Sequence, residues 1–138
     1  MTDITAQDAA LAAKQAQDRE LVALKQRMDE GAHLGNLGVA YAALGKTKRA
    51  IEAYEQALDI ARETGDRSSE GAWLSNLGVA NADLSEPAIA ITCSERALTI
   101  AQELGDRRAE GIALGSLGIV YHRAKDEPQR AIDYHERA

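Results

Sequence analysis

The sequence predicts an all-α fold, an α-α superhelix of antiparallel helix pairs with about 2.5 repeats and an additional N-terminal helix. A motif that begins at Glu30 recurs at Glu70 and Glu110, and about 22 of 40 positions are identical between residues 30–69 and 70–109. Apolar residues within each repeat have the spacing of one helix face. The 138 residues are rich in alanine and include no phenylalanine and only two prolines, which favours closely packed helices over strands.

The segment before the first repeat, residues 1–29, is alanine-rich and reads as a capping or extension helix for the array in residues 30–138. Lys25 stands where Gly65 and Gly105 end a helix in the later repeats. Two alternatives follow, because no clear stop signal separates this helix from the first repeat. The helix either ends before Glu30 or continues into the repeat and projects as about 40 residues that dock on a second molecule.

Each repeat should contain two helices, A and B. In the first repeat the apolar face of helix A is expected at Leu34, Leu37, Gly38, Tyr41 and Leu44. Thr47 is expected to cap helix B, whose buried face would be Ala50, Ile51, Tyr54, Ala57, Leu58 and Ala61. Gly65 and Asp66 should end helix B and cap the next helix A, and Gly105 and Asp106 repeat this arrangement. In the later repeats, Pro87 and Pro128 mark the start of helix B.

The third repeat, residues 110–138, is expected to be incomplete. Ala138 aligns with Ala57, so the chain stops partway along the third helix B. We expect either a fragment of a longer array or a chain that completes its core by pairing.

Small residues recur where helices must approach closely. Gly38, Gly78 and Gly118 are predicted to lie on helix A against helix B, where the expected counterparts are Ala50, Ala90 and Ala131. In the second repeat, Asn81 and Ser94 replace Tyr41 and Tyr54, which predicts looser packing. Hydrogen bonds or bound water that tolerate sequence drift are favoured there over a polar pocket with Cys93.

The pattern Leu34-x-x-Leu37-Gly38-x-x-Tyr41, followed by Ala50-x-x-x-Tyr54-x-x-Ala57, resembles the tetratricopeptide repeat signature. The forty-residue period is similar to the long form found in the Pins/LGN class and in bacterial signalling arrays. The resemblance covers residues 30–138 and implies a protein-binding superhelix in which the A helices line a concave groove.

The groove positions that this resemblance implies are distributed over all three repeats. They are Ala32, Asn36, Val39 and Ala43 in the first, Ala72, Asn76, Val79 and Asp83 in the second, and Ile112, Ser116, Ile119, His122 and Arg123 in the third. Chaperone-binding relatives clamp a carboxylate with basic residues, but Gly35, Val39 and Ile112 stand at three of those positions. Ala32 and Ala72 likewise replace the arginines of the Pins/LGN type.

An apolar stripe remains in the predicted groove, formed by Val39, Val79 and Ile119 and flanked by the amides of Asn36 and Asn76. It favours a module that binds an apolar or helical segment of a partner protein, or of the rest of its own chain. The alternative is a structural array that self-associates through its terminal helices into a dimer or a stacked superhelix.

Other function classes are disfavoured by charge and by missing motifs. The net charge of -6 argues against nucleic-acid binding, and no apolar run is long enough for a membrane span or a signal peptide. Because Cys93 is the single cysteine, we expect a reducing, cytoplasmic location and an inert thiol.

No phosphate loop, paired-cysteine motif or nucleophile elbow occurs, so we predict no metal, no cofactor and no enzymatic activity. Glu30, Glu70 and Glu110 are interpreted as partners of the arginines three residues earlier. The histidines His33, His122 and His135 occupy three different repeat positions and are expected at the surface. Trp73 is interpreted as a packing residue, with a partner anchor as the alternative.

Overall fold

The computed structural model describes residues 2–124 and 136–137, and its five main elements are all α-helices. They are α1 (Thr2–Ala43), α2 (Thr47–Thr64), α3 (Arg67–Asp83), α4 (Pro87–Leu104) and α5 (Arg107–Ala124). Consecutive helices pack in pairs, α3 also packs against α5, and no strand occurs within these residues. The predicted all-α superhelix is confirmed. None of these helices is both long enough and apolar enough to cross a bilayer.

Helix α1 joins the N-terminal segment and the first helix A without a break. Lys25 lies inside it, so of the two sequence-based alternatives the structure has the continuous helix. Residues 5–26 are exposed, whereas a Cβ on Gly31 would lie 2.8 Å from Ile60 Cγ2 of α2. Helix α1 therefore packs on α2 only with its C-terminal part. A domain boundary at residue 29 stays a prediction.

The turns between repeats follow the sequence signals. Gly65 and Gly105 end their helices in the left-handed region, with φ of 71° and 64°. The Asp66 carboxylate accepts a hydrogen bond from the Ser69 N–H at 3.1 Å, and Asp106 does the same for Ala109 at 3.0 Å.

The start of α2 differs from the prediction, because Thr47 is not its cap. Lys46 holds the capping position without a side-chain hydrogen bond. The Lys46 N–H closes the preceding turn by donating to the Tyr41 carbonyl at 2.9 Å, so the chain re-enters a helix immediately at Thr47. Helix α4 begins at Pro87 as expected, whereas Pro128 and Ala131 lie outside the described residues.

One apolar cluster links the helix pairs. Its buried members are Ala50, Tyr54, Leu58, Leu74, Leu77, Ala80, Ala97, Ile100 and Ala113. Leu77 is buried, whereas its repeat equivalent Leu37 is exposed, as is Leu44. Helix α2 packs on α3, but no described helix covers the corresponding side of α1. Burial of the same repeat position therefore depends on the neighbouring helix.

The predicted close approaches at glycine are present in the first two repeats. A Cβ on Gly38 would lie 2.7 Å from the Tyr54 ring and 3.2 Å from the Ala50 carbonyl oxygen. A Cβ on Gly78 would lie 3.1 Å from the Ala90 carbonyl oxygen and would overlap the Ser94 hydroxyl. Any larger side chain would push each helix pair apart.

The two polar replacements in the second repeat differ in how they are satisfied. The buried Asn81 side-chain N–H donates to the Leu77 carbonyl at 2.9 Å, as the favoured interpretation requires. Ser94 is fully buried, but its hydroxyl has no hydrogen-bond partner among the described residues.

Candidate functional site

The predicted groove residues lie on the C-terminal part of α1 and on α3 and α5, the first helices of the three repeats. All four positions on α1 are exposed, as are Ala72, Asp83, Ile112, His122 and Arg123. Asn76, Val79 and Ile119 are half-buried. Ser116 is the exception, because it is buried and thus offers a partner little surface.

Four apolar side chains on these three helices are at least partly accessible, the predicted stripe residues and Ile112. Val39 on α1 is 47% exposed and Ile112 on α5 is 56% exposed, while Val79 and Ile119 present part of their side chains. Contiguous exposed apolar residues mark contact surfaces, so the predicted stripe, extended by Ile112, is a candidate contact surface.

The charged groove residues pair with each other. The Arg123 guanidinium on α5 donates to the Asp83 carboxylate on α3, and it lies 3.5 Å from the Val79 carbonyl oxygen. This pair links α3 to α5 and neutralises both charges. The predicted groove positions therefore carry little net charge beside Val79.

A pocket of about 270 Å³ opens between α3, α4 and α5, and it contains three of the predicted groove residues, Ala72, Asn76 and Ile112. The remaining lining residues are Ser68, Gly71, Ser75, Ala97, Ile100, Ala101, Leu104, Asp106 and Ala109. The lining is mainly apolar, with a few polar side chains, which is the usual composition of a ligand pocket.

The equivalent position one repeat earlier, between α1, α2 and α3, is almost closed. The cavity there has a volume of only about 10 Å³. It is lined by Met28, Gly31, Ala32, Ala57, Ile60, Ala61, Thr64, Asp66, Ser69 and Trp73. A shift of forty residues maps nine of these ten onto lining residues of the larger pocket, the exception being Trp73, which maps onto Ala113.

Trp73 closes the earlier cavity. Its indole lies so close to Gly35 that a Cβ on that glycine would overlap the ring. It also stacks on Tyr54, with ring centroids 6.1 Å apart and an interplanar angle of 21°. Trp73 is thus a packing residue. At the second interface, the small residues Ala113 and Ser94 stand at the positions of Trp73 and Tyr54.

The three repeated glutamates have different environments. Glu70 is buried and accepts hydrogen bonds from Arg67 at 3.1 Å and Arg62 at 3.3 Å. Glu30 is exposed and pairs with Arg27 at 2.9 Å. The predicted pairing three residues apart is present at Glu30 and Glu70. Among the described residues no ion pair joins Arg107 to the half-buried Glu110, so the prediction is wrong at the third position. The burial of Glu70 has no counterpart in the sequence prediction.

The remaining candidate groups offer no concentrated chemistry in the part of the chain that the structure describes. Cys93 is half-buried, and this burial raises the pKa of its thiol, in agreement with an inert cysteine. His33 and His122 are exposed, and His135 lies outside the described residues. No group of three or more metal-binding side chains occurs among those that can be described.

Sequence reasoning missed an ion-pair pattern between repeats. Arg27 pairs with Glu63 at 3.0 Å, and forty residues later Arg67 pairs with Glu103. Both pairs are 36 residues apart, so this recurring spacing is a signal that the sequence already contained.

Comparison with known families agrees with these observations. A tetratricopeptide repeat model matches residues 69–138, and a second tetratricopeptide repeat model matches residues 33–63. No curated protein matches the chain.

Proposed function

The chain belongs to the tetratricopeptide repeat family, and we propose that it binds an apolar or helical segment of a partner protein on its concave face. Members of this family generally mediate protein–protein interaction and scaffolding and are typically non-catalytic. The main support for this proposal is the apolar stripe of Val39, Val79 and Ile119, to which the structure adds Ile112. Ile112 also lines an open pocket. An amphipathic helix buries one apolar face in such a groove.

The polar groups of the face support the same kind of ligand. Asn36 is exposed and Asn76 is half-buried, so their amides are free to accept and donate hydrogen bonds to a peptide backbone. The Asp83–Arg123 pair leaves little net charge beside Val79. Affinity would therefore come mainly from apolar burial.

The test introduces a carboxylate into the stripe. Wild-type protein and the Val79→Glu variant are immobilised, and the proteins that each captures from a lysate are quantified by mass spectrometry. Gln56→Glu is the matched control, because it adds the same charge at an exposed position of α2, outside the groove. We expect Val79→Glu to lose a partner that wild type and Gln56→Glu retain. Circular dichroism checks that the helix content is unchanged.

The captured partner is then mapped on the repeat protein by hydrogen exchange. Protection of α3 and α5 around Val79 and Ile119 supports the proposal. Retention of the same partner by Val79→Glu, or protection confined to other helices, overturns it.

A second candidate function, self-association, is favoured by the exposed N-terminal part of α1. The side of α1 that packs on α2 at Gly31 continues towards the N-terminus as Ala6, Ala10, Ala13, Gln17, Leu21, Leu24 and Met28, at steps of three and four residues. Leu21, Leu24 and Met28 are all exposed. We name these seven residues the extension face. It begins where α2 ends, because Met28 and Thr64 line the same small cavity.

A second copy of the chain is the occupant that fits this face. The seven positions are symmetric about Gln17, so an antiparallel pair centred there places Ala6, Ala10 and Ala13 opposite Met28, Leu24 and Leu21. Small side chains then face large ones in the layers on either side of the central Gln17 pair. Lys14 and Asp18 lie on the same edge of the face, and this arrangement brings each Lys14 near the Asp18 of the other copy.

Sedimentation of the full chain over a concentration series tests this candidate. Leu24→Glu on the extension face should abolish the dimer, while Val22→Glu on the opposite side of α1 should leave it intact; the two positions are comparably exposed, at 41% and 57%. A monomer at all concentrations, or equal dimerisation of both variants, overturns the proposal.

A further inference from the structure

We infer that the pocket between α3, α4 and α5 receives the indole of a tryptophan from the bound partner. This inference rests on the proposed groove function and specifies what the groove recognises. The pocket lies on the concave side, because Ala72, Asn76 and Ile112 belong to both the pocket and the predicted groove.

The chain itself shows which side chain this site accommodates. At the preceding repeat interface, an indole occupies the equivalent space, and the cavity there is about 10 Å³ compared with about 270 Å³ at the second interface. The walls of the two sites correspond at nine of ten positions after the forty-residue shift. Trp73 supplies the indole at the first site, but Ala113 supplies no ring at the second.

The size of the pocket agrees with one large aromatic side chain. A cavity of roughly 150 Å³ is enough to bind benzene in an engineered protein. Pockets for drug-sized ligands begin at about 300 Å³. At about 270 Å³ the pocket lies between these limits, so it holds a bicyclic ring with some room for the backbone that carries it.

The pocket also has the polarity that an indole needs. Ile100, Ala97 and Ala101 form a buried apolar wall on α4, against which the ring can pack. Asn76 on α3 lines the opening with a half-buried amide, whose oxygen is an acceptor for the indole N–H. Entry is open from solvent, since Ile112 and Leu104 at the rim are exposed.

The test uses N-acetyl-tryptophanamide, an uncharged probe that needs no knowledge of the partner. Titration into the full chain is followed by backbone amide chemical shifts. We expect saturable shifts at Ala72, Asn76 and Ile112, and about tenfold weaker binding of N-acetyl-leucinamide, whose side chain has no ring. Absence of saturable shifts at these residues, or equal binding of the leucine probe, overturns the inference.

Two variants that close the pocket make the test specific. Ala113→Trp combined with Ser75→Gly reproduces the first interface, where Trp73 lies over Gly35. Should that variant fail to fold, Ala72→Phe covers the pocket from its exposed rim without a change in the core. Either closed variant should lose probe binding. If a closed variant still showed saturable shifts of the same amides, the probe would bind outside the pocket, and the inference would be overturned.

Failure of this inference is distinguishable from failure of the groove proposal. Val79 does not line the pocket, so Val79→Glu should still bind the tryptophan probe while it loses the partner. A partner that binds the groove although the probe never binds overturns the indole assignment alone. Probe binding without capture of any partner contradicts the groove proposal alone.

Discussion

Ser94→Ala should stabilise the protein, because it removes a buried hydroxyl that has no hydrogen-bond partner among the described residues. Ser94 is 0% exposed, and its oxygen lies against Gly78. Leaving a buried polar group unpaired costs about 1 to 3 kcal/mol, and removal of one oxygen sacrifices a few contacts worth about 0.1 to 0.2 kcal/mol each. We expect a net gain of about 1 kcal/mol, which corresponds to a rise in Tm of about 4 °C for a chain of this size.

The assay is thermal and urea denaturation followed by circular dichroism, with Thr99→Ala as the matched control on the same helix. The Thr99 hydroxyl is exposed and donates to the Glu95 carbonyl at 3.1 Å, so its removal should change the free energy of unfolding by less than about 0.5 kcal/mol. Both variants remove a hydroxyl from α4 and leave alanine, although Thr99→Ala also removes an exposed methyl group; the two hydroxyls differ in burial and hydrogen bonding.

A lower Tm for Ser94→Ala than for wild type would refute the reasoning. Such a result would mean that the hydroxyl donates to a helix carbonyl in solution, as serine often does within helices, or that its volume is needed against Gly78. A measured m-value that changes with the mutation would invalidate the comparison of midpoints, so full urea curves are required.

Three further substitutions have definite expected outcomes. Gly78→Leu should lower the free energy of unfolding by about 2 kcal/mol or more in urea denaturation, because even a Cβ would lie 3.1 Å from the Ala90 carbonyl oxygen; an unchanged midpoint contradicts the close approach. Ser85→Gly should raise Tm through a gain of about 1 kcal/mol, since Ser85 has a φ of 61°; no gain argues against that conformation. Glu70→Gln should cost about 1 kcal/mol, and Glu30→Gln, at an exposed pair, less than about 0.5 kcal/mol; equal losses contradict the difference in burial.

The sequence was sufficient for features that depend on a few adjacent residues. Gly65 ends α2, and Asp66 caps α3, because the left-handed turn and the capping hydrogen bond require only neighbouring backbone groups. The close approach at Gly38 was also predictable, since a glycine repeated every forty residues within an apolar face indicates a tight helix contact.

Features that depend on which helix lies opposite were not predictable in the same way. Leu37 and Leu77 occupy the same repeat position, but only Leu77 is covered by a preceding helix B. The sequence leaves the continuity of α1 undecided for a related reason. Helix-forming residues without a stop signal allow a long exposed helix, but propensity alone does not exclude a break.

The candidate pocket shows the same limit at the functional site. Alignment of the repeats reveals that Ala113 replaces Trp73, but it does not reveal where the ring lies. That position depends on Gly35 on α1 and on the stack with Tyr54 on α2, which are contacts with two helices other than its own. The pocket therefore depends on the three-dimensional positions of the ring and its neighbours, which the aligned repeats do not contain.

The second interface lacks the two aromatic rings of the first, so the proposed partner would contribute to stability as well as to recognition. Ser94 and Ala113 stand at the positions of the Tyr54–Trp73 stack, and both are nearly inaccessible to solvent. The space that remains is open at the groove, where an indole from another protein can enter and replace contacts that the first interface makes internally. A ligand that binds only the folded state increases the free energy of unfolding by RT ln(1 + [L]/Kd). Hydrogen exchange should therefore slow more in α4 and α5 than in the N-terminal part of α1 when the tryptophan probe binds, whereas uniform protection of all helices would contradict this location of the ring.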